Sequence, residues 1–296
     1  MSDKTLRRNT IIGLLVSLAL AAGKMLVGVL GHSSAMVADA VESLADSIGS
    51  SVVWQGIRVS SQPPDQSHPY GYGKAEAVSA FCVGAMLLVA AVIISVKAVH
   101  DMMTPHGAPA AWTLIVFVPV IVLKETLSRF VMRGAAALGS SAARADALHH
   151  RADAITSFAA LIGVAIAVFG PRLFHAPGLV LADEVAAMIG SVIIMYTGVS
   201  LIRPSLRELL DATAPELAEQ VKGTAGEVDG VRLVEKVHAR KSGRGYHIDM
   251  HLHVAPDMAV LTAHSLAGKV KAHIRERHPS IQHVLIHIEP DERTGT

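Results

Sequence analysis

One cysteine in 296 residues, Cys82, leaves no partner for an internal disulfide and no thiolate cluster for structural zinc. Charge is scarce as well. Asp, Glu, Lys and Arg make up 17% of the chain, against about a quarter in an average soluble domain. The formal net charge of +1 supplies no basic face for nucleic acid. Aromatic residues, at 4%, leave little of the interfacial belt common in membrane proteins. No H-E-x-x-H run and no nucleophile arrangement is present, so the chain is not expected to be an enzyme. What is abundant is apolar: 51% of residues, with a mean hydropathy of +0.43.

The apolar residues fall in runs. The first, at 11–30, follows MSDKTLRRN and resembles a signal peptide, but its length suffices to cross a bilayer and similar runs follow. Six spans are expected, at about 10–30, 34–58, 76–99, 110–132, 145–169 and 178–202. Lys4, Arg7, Arg8, Arg58, Lys74, Arg129, Arg133, Arg144, Arg151, Arg203 and Arg207 flank alternate ends, which predicts that both termini are cytoplasmic.

Near Asp211 the composition changes. The expected organisation is a cytoplasmic segment at 1–9, a six-helix transmembrane bundle at 10–210, and a linker with a cytoplasmic domain at 211–296. The last part reads as a helix at 215–226, strands near 231–240 and 246–254, a helix at 260–277 and a strand near 282–289. This predicts an α+β domain of ferredoxin-like α-β-β-α-β order, with its helices on one face of the sheet.

Two spans carry charge where lipid disfavours it. The second holds Asp39, Glu42 and Asp46; the fifth holds Asp146, His149, His150, Arg151 and Asp153. Ionisable groups at such depth mark ion pathways. Glu42 and Asp46 are four apart, as are His149 and Asp153, so each pair stacks on one helix face. The segments ADAVESLAD at 38–46 and ADALHHRAD at 145–153 echo one another, as two repeated halves meeting at one site would. Side by side, the helices offer three carboxylates and an imidazole, a set suited to tetrahedral zinc or a similar divalent ion. Asp39, Asp146 and His150 read equally well as polar glue between helices, and Arg151 as a snorkelling charge.

These paired motifs, the HPYGYGKAE loop at 68–76, the six spans and the α-β-β-α-β tail resemble the cation diffusion facilitators over nearly the whole chain. The resemblance implies a homodimer in the cell (inner) membrane. It would export zinc, manganese, cadmium, cobalt, nickel or ferrous iron from the cytoplasm, commonly in exchange for protons. Zinc is the leading candidate. The transported ion would be bound at Glu42, Asp46, His149 and Asp153, although Glu42 stands where Asp or His is usual. An accessory site would use Asp65 and His68, weakened by Tyr72 at the position of a second histidine. Lys74 and Asp211 match a charge pair that ties the third span to the end of the sixth across the dimer.

In the tail, residues 247–254 alternate strictly. Ile248, Met250, Leu252 and Val254 share one strand face, and His247, Asp249, His251 and His253 the other; His283, His287 and Glu289 repeat the pattern. From the residues alone, this is either a metal-binding face or an ordinary solvated one. The resemblance narrows the regulatory metal ligands to Glu235, His251, His264, His287 and Glu289. Two other classes of function remain open: a non-transporting metal sensor or assembly scaffold, and, with less support, a membrane metalloenzyme.

Overall fold

The computed structural model describes the backbone of residues 3–104, 107–138 and 141–292. Side chains are described for 17–45, 47–49, 51–52, 55–104, 107–123, 125–126 and 156–292. Long helices come first: α1 (Asp3–Leu30), α2 (Ser34–Ser60), α3 (Ala75–Met103), α4 (Thr113–Leu138), α5 (Ser141–Leu173) and α6 (Ala182–Leu209), the last entered through a 3-10 turn at Pro177–Leu181. Most run past the apolar stretches expected from sequence. Helical hydrogen bonding is set by the backbone and does not stop where hydropathy falls. Among the described residues, Ala75–Met103, Thr156–Leu173 and Pro177–Leu209 are long and apolar enough to cross a membrane; Ser17–Leu30 and Thr113–Leu123 are shorter apolar stretches.

Helix α3 shows why these are membrane helices and not core helices. Val83, Leu87, Ala91, Ile94 and Ala98 are buried at helical spacing, while Val89, Ile93 and Val96 are more than half exposed on the other side. Helix α6 exposes Ile189, Val192 and Tyr196 in the same way. Apolar faces all round need an apolar surrounding.

Close helix contacts depend on residues without side chains. A Cβ at Gly198 of α6 would lie 2.9 Å from the carbonyl of Gly84 on α3, and one at Gly163 of α5 would lie 2.4 Å from Cβ of Ala186 on α6. Small residues at such crossings let helix backbones approach where lipid offers no hydrophobic drive. Ala35, Met36, Phe117, Ala160 and Val164 form a buried cluster joining α2, α4 and α5.

The start of α2 is held by an acid from α6. Asp183 is fully buried and accepts the backbone amides of Ser34 at 2.5 Å and Ala35 at 3.2 Å, and the Ser33 hydroxyl at 2.7 Å. Helix N-terminal amides have no partner within their own helix, and a carboxylate there satisfies them while complementing the helix dipole.

The chain divides into two compact units, 1–51 with 83–201, and 52–82 with 202–296. The second contains α7 (Pro215–Gly226), β1 (Leu233–Ser242), β2 (Gly245–Val254), α8 (Val260–Arg277) and β3 (Ile281–Pro290). Pro215 at the first turn of α7 suits a position whose amide would lack a partner. The sheet order is β1-β2-β3, with β1 antiparallel and β3 parallel to β2. A parallel β2–β3 pair needs a crossover, and α8 is that crossover. Ala218, Val221 and Ala225 of α7, and Ala263, Leu266, Val270 and Ile274 of α8, pack against Ile248, Met250, Leu252 and Val254. The histidine-bearing face of the sheet is therefore the one without helices.

Candidate metal centres

On that open face, parallel register places His247 beside His283, His251 beside His287, and His253 beside Glu289. The His251 and His287 rings lie 5.1 Å apart, centroid to centroid. Strand β1 completes the group through an irregularity: the β1–β2 register shifts between Val234 and Val237. Such a bulge sets extra residues against one partner and re-aims a side chain. It brings Glu235 to within 3.6 Å of His253 Nε2 and 3.9 Å of His251 Nδ1.

Glu289 is the hub. Its Oε2 lies 3.2 Å from His253 Nε2, and its Oε1 lies 2.7 Å from His251 Nδ1 and 3.4 Å from His287 Nε2. Glu235, His253 and Glu289 offer ligand atoms all within 4.8 Å of one another. A tetrahedral ion with bonds of about 2.0–2.1 Å sets its donors about 3.3 Å apart, close to the spacings around His253. Burial pushes the Glu235 carboxyl up, but neighbouring Lys236 and His253 outweigh it and hold the group below its usual range. It is therefore a ready carboxylate donor near neutral pH.

Of the five tail residues expected from the resemblance, four meet here: Glu235, His251, His287 and Glu289. His264 is not brought to this cluster. It stands exposed on α8, which packs on the opposite, apolar face of the sheet. His253 joins in its place. Its parity along β2 was visible in the sequence, but the bulge that turns Glu235 towards it was not.

The loop between α2 and α3 uses its acid internally. Asp65 Oδ1 accepts the backbone amides of Ser67 at 2.8 Å and His68 at 2.7 Å, and Oδ2 accepts the Tyr72 hydroxyl at 2.7 Å. The His68 and Tyr72 rings lie 4.2 Å apart. The Tyr72 hydrogen bond first, and the His68 amide next, hold the Asp65 carboxyl below its usual range, while Asp65 pushes the Tyr72 phenol up. Asp65 is thus occupied as a turn residue, and the accessory pair Asp65/His68 has a tyrosine where a third donor would stand. Beside this loop, Lys74 pairs with Asp211 at 3.0 Å within one chain and donates to the Leu209 carbonyl at 3.3 Å.

Within the first unit, α2 and α5 meet through two consecutive residues of α5. Thr156 Oγ1 donates to Glu42 Oε2 at 3.2 Å, and Ser157 Oγ donates to Asp39 Oδ1. The side chains of Asp46, His149 and Asp153, like those of Asp146, His150 and Arg151, lie outside the described residues. Glu42 is half-buried at the α2–α5 seam. Lys24 of α1 and Asp183 of α6 are among the buried charges that lie outside the sequence motifs. Their signal was available, since each is a charge inside or at the edge of an apolar run.

Residues 10–210 match the cation efflux transmembrane domain, and residues 214–291 match the cytoplasmic domain of cation efflux proteins. The chain is 33% identical over 285 residues to the manganese efflux system protein MneP of Bacillus subtilis, covering 96% of each chain. It is 31% identical over 296 residues to metal tolerance protein C1 of Arabidopsis thaliana, covering 94% of this chain and 61% of that one. A solved structure titled MamM CTD, copper form, is 26% identical, covering 28% of this chain and 91% of that chain, with a TM-score of 0.27. With both parts of the chain matched to cation efflux domains, the protein belongs to the cation diffusion facilitator family of divalent-metal efflux transporters.

Proposed function

We propose that the protein exports a divalent metal ion, zinc being the leading candidate, from the cytoplasm through a site at the α2–α5 seam. Glu42, Asp46, His149 and Asp153 are the ligands, in a six-span homodimer with both termini cytoplasmic. The observation that carries this reading is the pairing of Glu42 with Thr156, which sets the two acid- and histidine-bearing helices against each other. Three carboxylates and one imidazole form a four-donor set that suits zinc. Carboxylates must be unprotonated to bind, so protons compete with metal, and a proton gradient can drive exchange. His149, with the reference pKa nearest neutrality among the four, is the residue proposed to exchange its proton. The cytoplasmic cluster at Glu235, His251, His253, His287 and Glu289 is proposed to bind a regulatory ion.

Manganese is a second reading of the cargo. The oxygen-rich donor set suits a harder ion, and the similar Bacillus subtilis protein is named a manganese efflux protein. Reconstitution in liposomes with competing zinc, manganese, cobalt, cadmium and ferrous ions, under an imposed pH gradient, tests both readings. Saturable metal uptake that collapses with the pH gradient supports antiport, and the preferred ion names the cargo. Absence of flux for every ion would leave a sensor or scaffold.

A further inference from the structure

Lys24 interrupts the apolar stretch of α1, yet its side chain is 2% exposed. Its Nζ lies 2.6 Å from Oδ2 of Asp39 and donates to Ser43 Oγ at 3.0 Å, both on α2. The other Asp39 oxygen, Oδ1, takes the Ser157 hydroxyl of α5. Asp39 is 4% exposed, so in a place closed to water one of its oxygens is hydrogen-bonded and the other faces only the Lys24 ammonium, as an ion-pair contact. The group stands one helical turn from Glu42. On α5 the residue that engages Asp39 directly follows the one that engages Glu42. Three helices therefore converge on one carboxylate that is not in the proposed ligand set.

A buried ion pair is poor evidence for stability by itself, because both charges lose hydration. Its consequence for neighbours is clearer. An ammonium in contact with Asp39 cancels one negative charge beside a site that already has three carboxylates. It also leaves no Asp39 oxygen free to turn towards a passing cation.

We propose that Lys24 is a positioning residue for transport: a tethered cation that neutralises Asp39, withholds it from the metal, and holds α2 against α5 at the level of Glu42. The inference rests on Glu42 being a ligand of the transported ion. Without the ammonium, Asp39 becomes a further carboxylate within reach of the pathway. The ion is then held more tightly and released more slowly, so apparent KM and kcat fall together.

The test is uptake of manganese and zinc by full-length protein in liposomes, normalised to reconstituted protein. Lys24→Met is expected to lower kcat at least about tenfold and to lower KM as well. Lys24→Arg, which keeps the charge, is expected to stay within about threefold of wild type. The double variant Lys24→Met/Asp39→Asn removes both charges and is expected to recover most of the lost kcat, a rescue that general packing damage would not give. Wild-type kinetics in Lys24→Met, a double variant no better than the single, or equal loss in Lys24→Arg overturns the inference. Glu42→Gln in the same preparation separates the two readings. If it transports like wild type, the membrane site itself is wrong. If it is inactive while Lys24→Met is unaffected, only the role of Lys24 fails.

Discussion

His253 Nε2 lies 3.2 Å from Glu289 Oε2 across the parallel β2–β3 pair, and 3.6 Å from Glu235 Oε2 across the bulge of β1. Three strands thus deliver one donor each to the same point. Strands hold donors more rigidly than loops, so such a site needs little rearrangement to bind an ion.

His253→Ala and Glu289→Gln are each expected to weaken zinc or manganese binding at this cluster by at least about tenfold, measured by calorimetry on the purified protein. His264→Ala, altering a side chain on the helix behind the sheet, is expected to leave that affinity within about twofold. Equal losses in all three would mean that α8 contributes to the site in the assembled protein.

Tyr72→His puts a third donor beside Asp65 and His68 and removes the hydroxyl that occupies Asp65 Oδ2. One additional bound metal ion per chain is the expected outcome, counted by elemental analysis after dialysis. Tyr72→Phe removes the hydroxyl alone. The Asp65 carboxyl should then titrate closer to its ordinary value of 3.8, seen by NMR of a carboxyl-labelled sample. The direction follows from linkage. A carboxyl held low stabilises the loop above 3.8 and loses that effect as pH falls through its folded value.

How much of this was legible beforehand differs between the two parts of the chain. The alternation at 247–254 places the histidines on one face because side chains in a strand alternate, whatever the rest of the fold does. Glu235 is different. Regular pairing with β2 does not predict its approach to His253, since a bulge depends on the partner strand and leaves no periodic trace. The acids of α2 and α5 were legible as anomalies in apolar helices. The ion pair that explains Asp39 was not, because Lys24 lies on another helix and helix contacts leave no fixed spacing in sequence. The partners of Asp183 were not legible for the same reason: they are backbone amides of α2, 148 to 149 residues away.

The His247 ring gives the C-terminal domain a pH dependence of predictable sign. Burial first, and the nearby His283 second, push His247 below its ordinary 6.5. The folded domain therefore prefers a neutral ring, while the unfolded chain takes up a proton at 6.5. Stability is full above that value and declines as pH falls towards the folded pKa. The thermal midpoint of this domain should drop between about pH 7.5 and about pH 5.5. His247→Phe should make the drop smaller; an unchanged drop would place its cause elsewhere.

Gly198→Val would set a branched side chain against the Gly84 carbonyl, which already lies 2.9 Å from where a Cβ would stand. Backbone cannot give way cheaply there, so the α3–α6 contact should open. The expected result is a lower thermal midpoint in detergent and a smaller yield of folded protein. Gly223→Val on α7, where nothing lies within 4 Å of the new Cβ, is the control with a smaller loss.

The most direct test of the account is the initial rate of metal uptake into liposomes holding equal amounts of wild-type protein and Glu42→Gln. Wild type is expected to carry manganese or zinc, and Glu42→Gln to fall to the protein-free background while remaining folded. Uptake by Glu42→Gln at the wild-type rate would contradict it, because the seam between α2 and α5 would then not be where the ion passes.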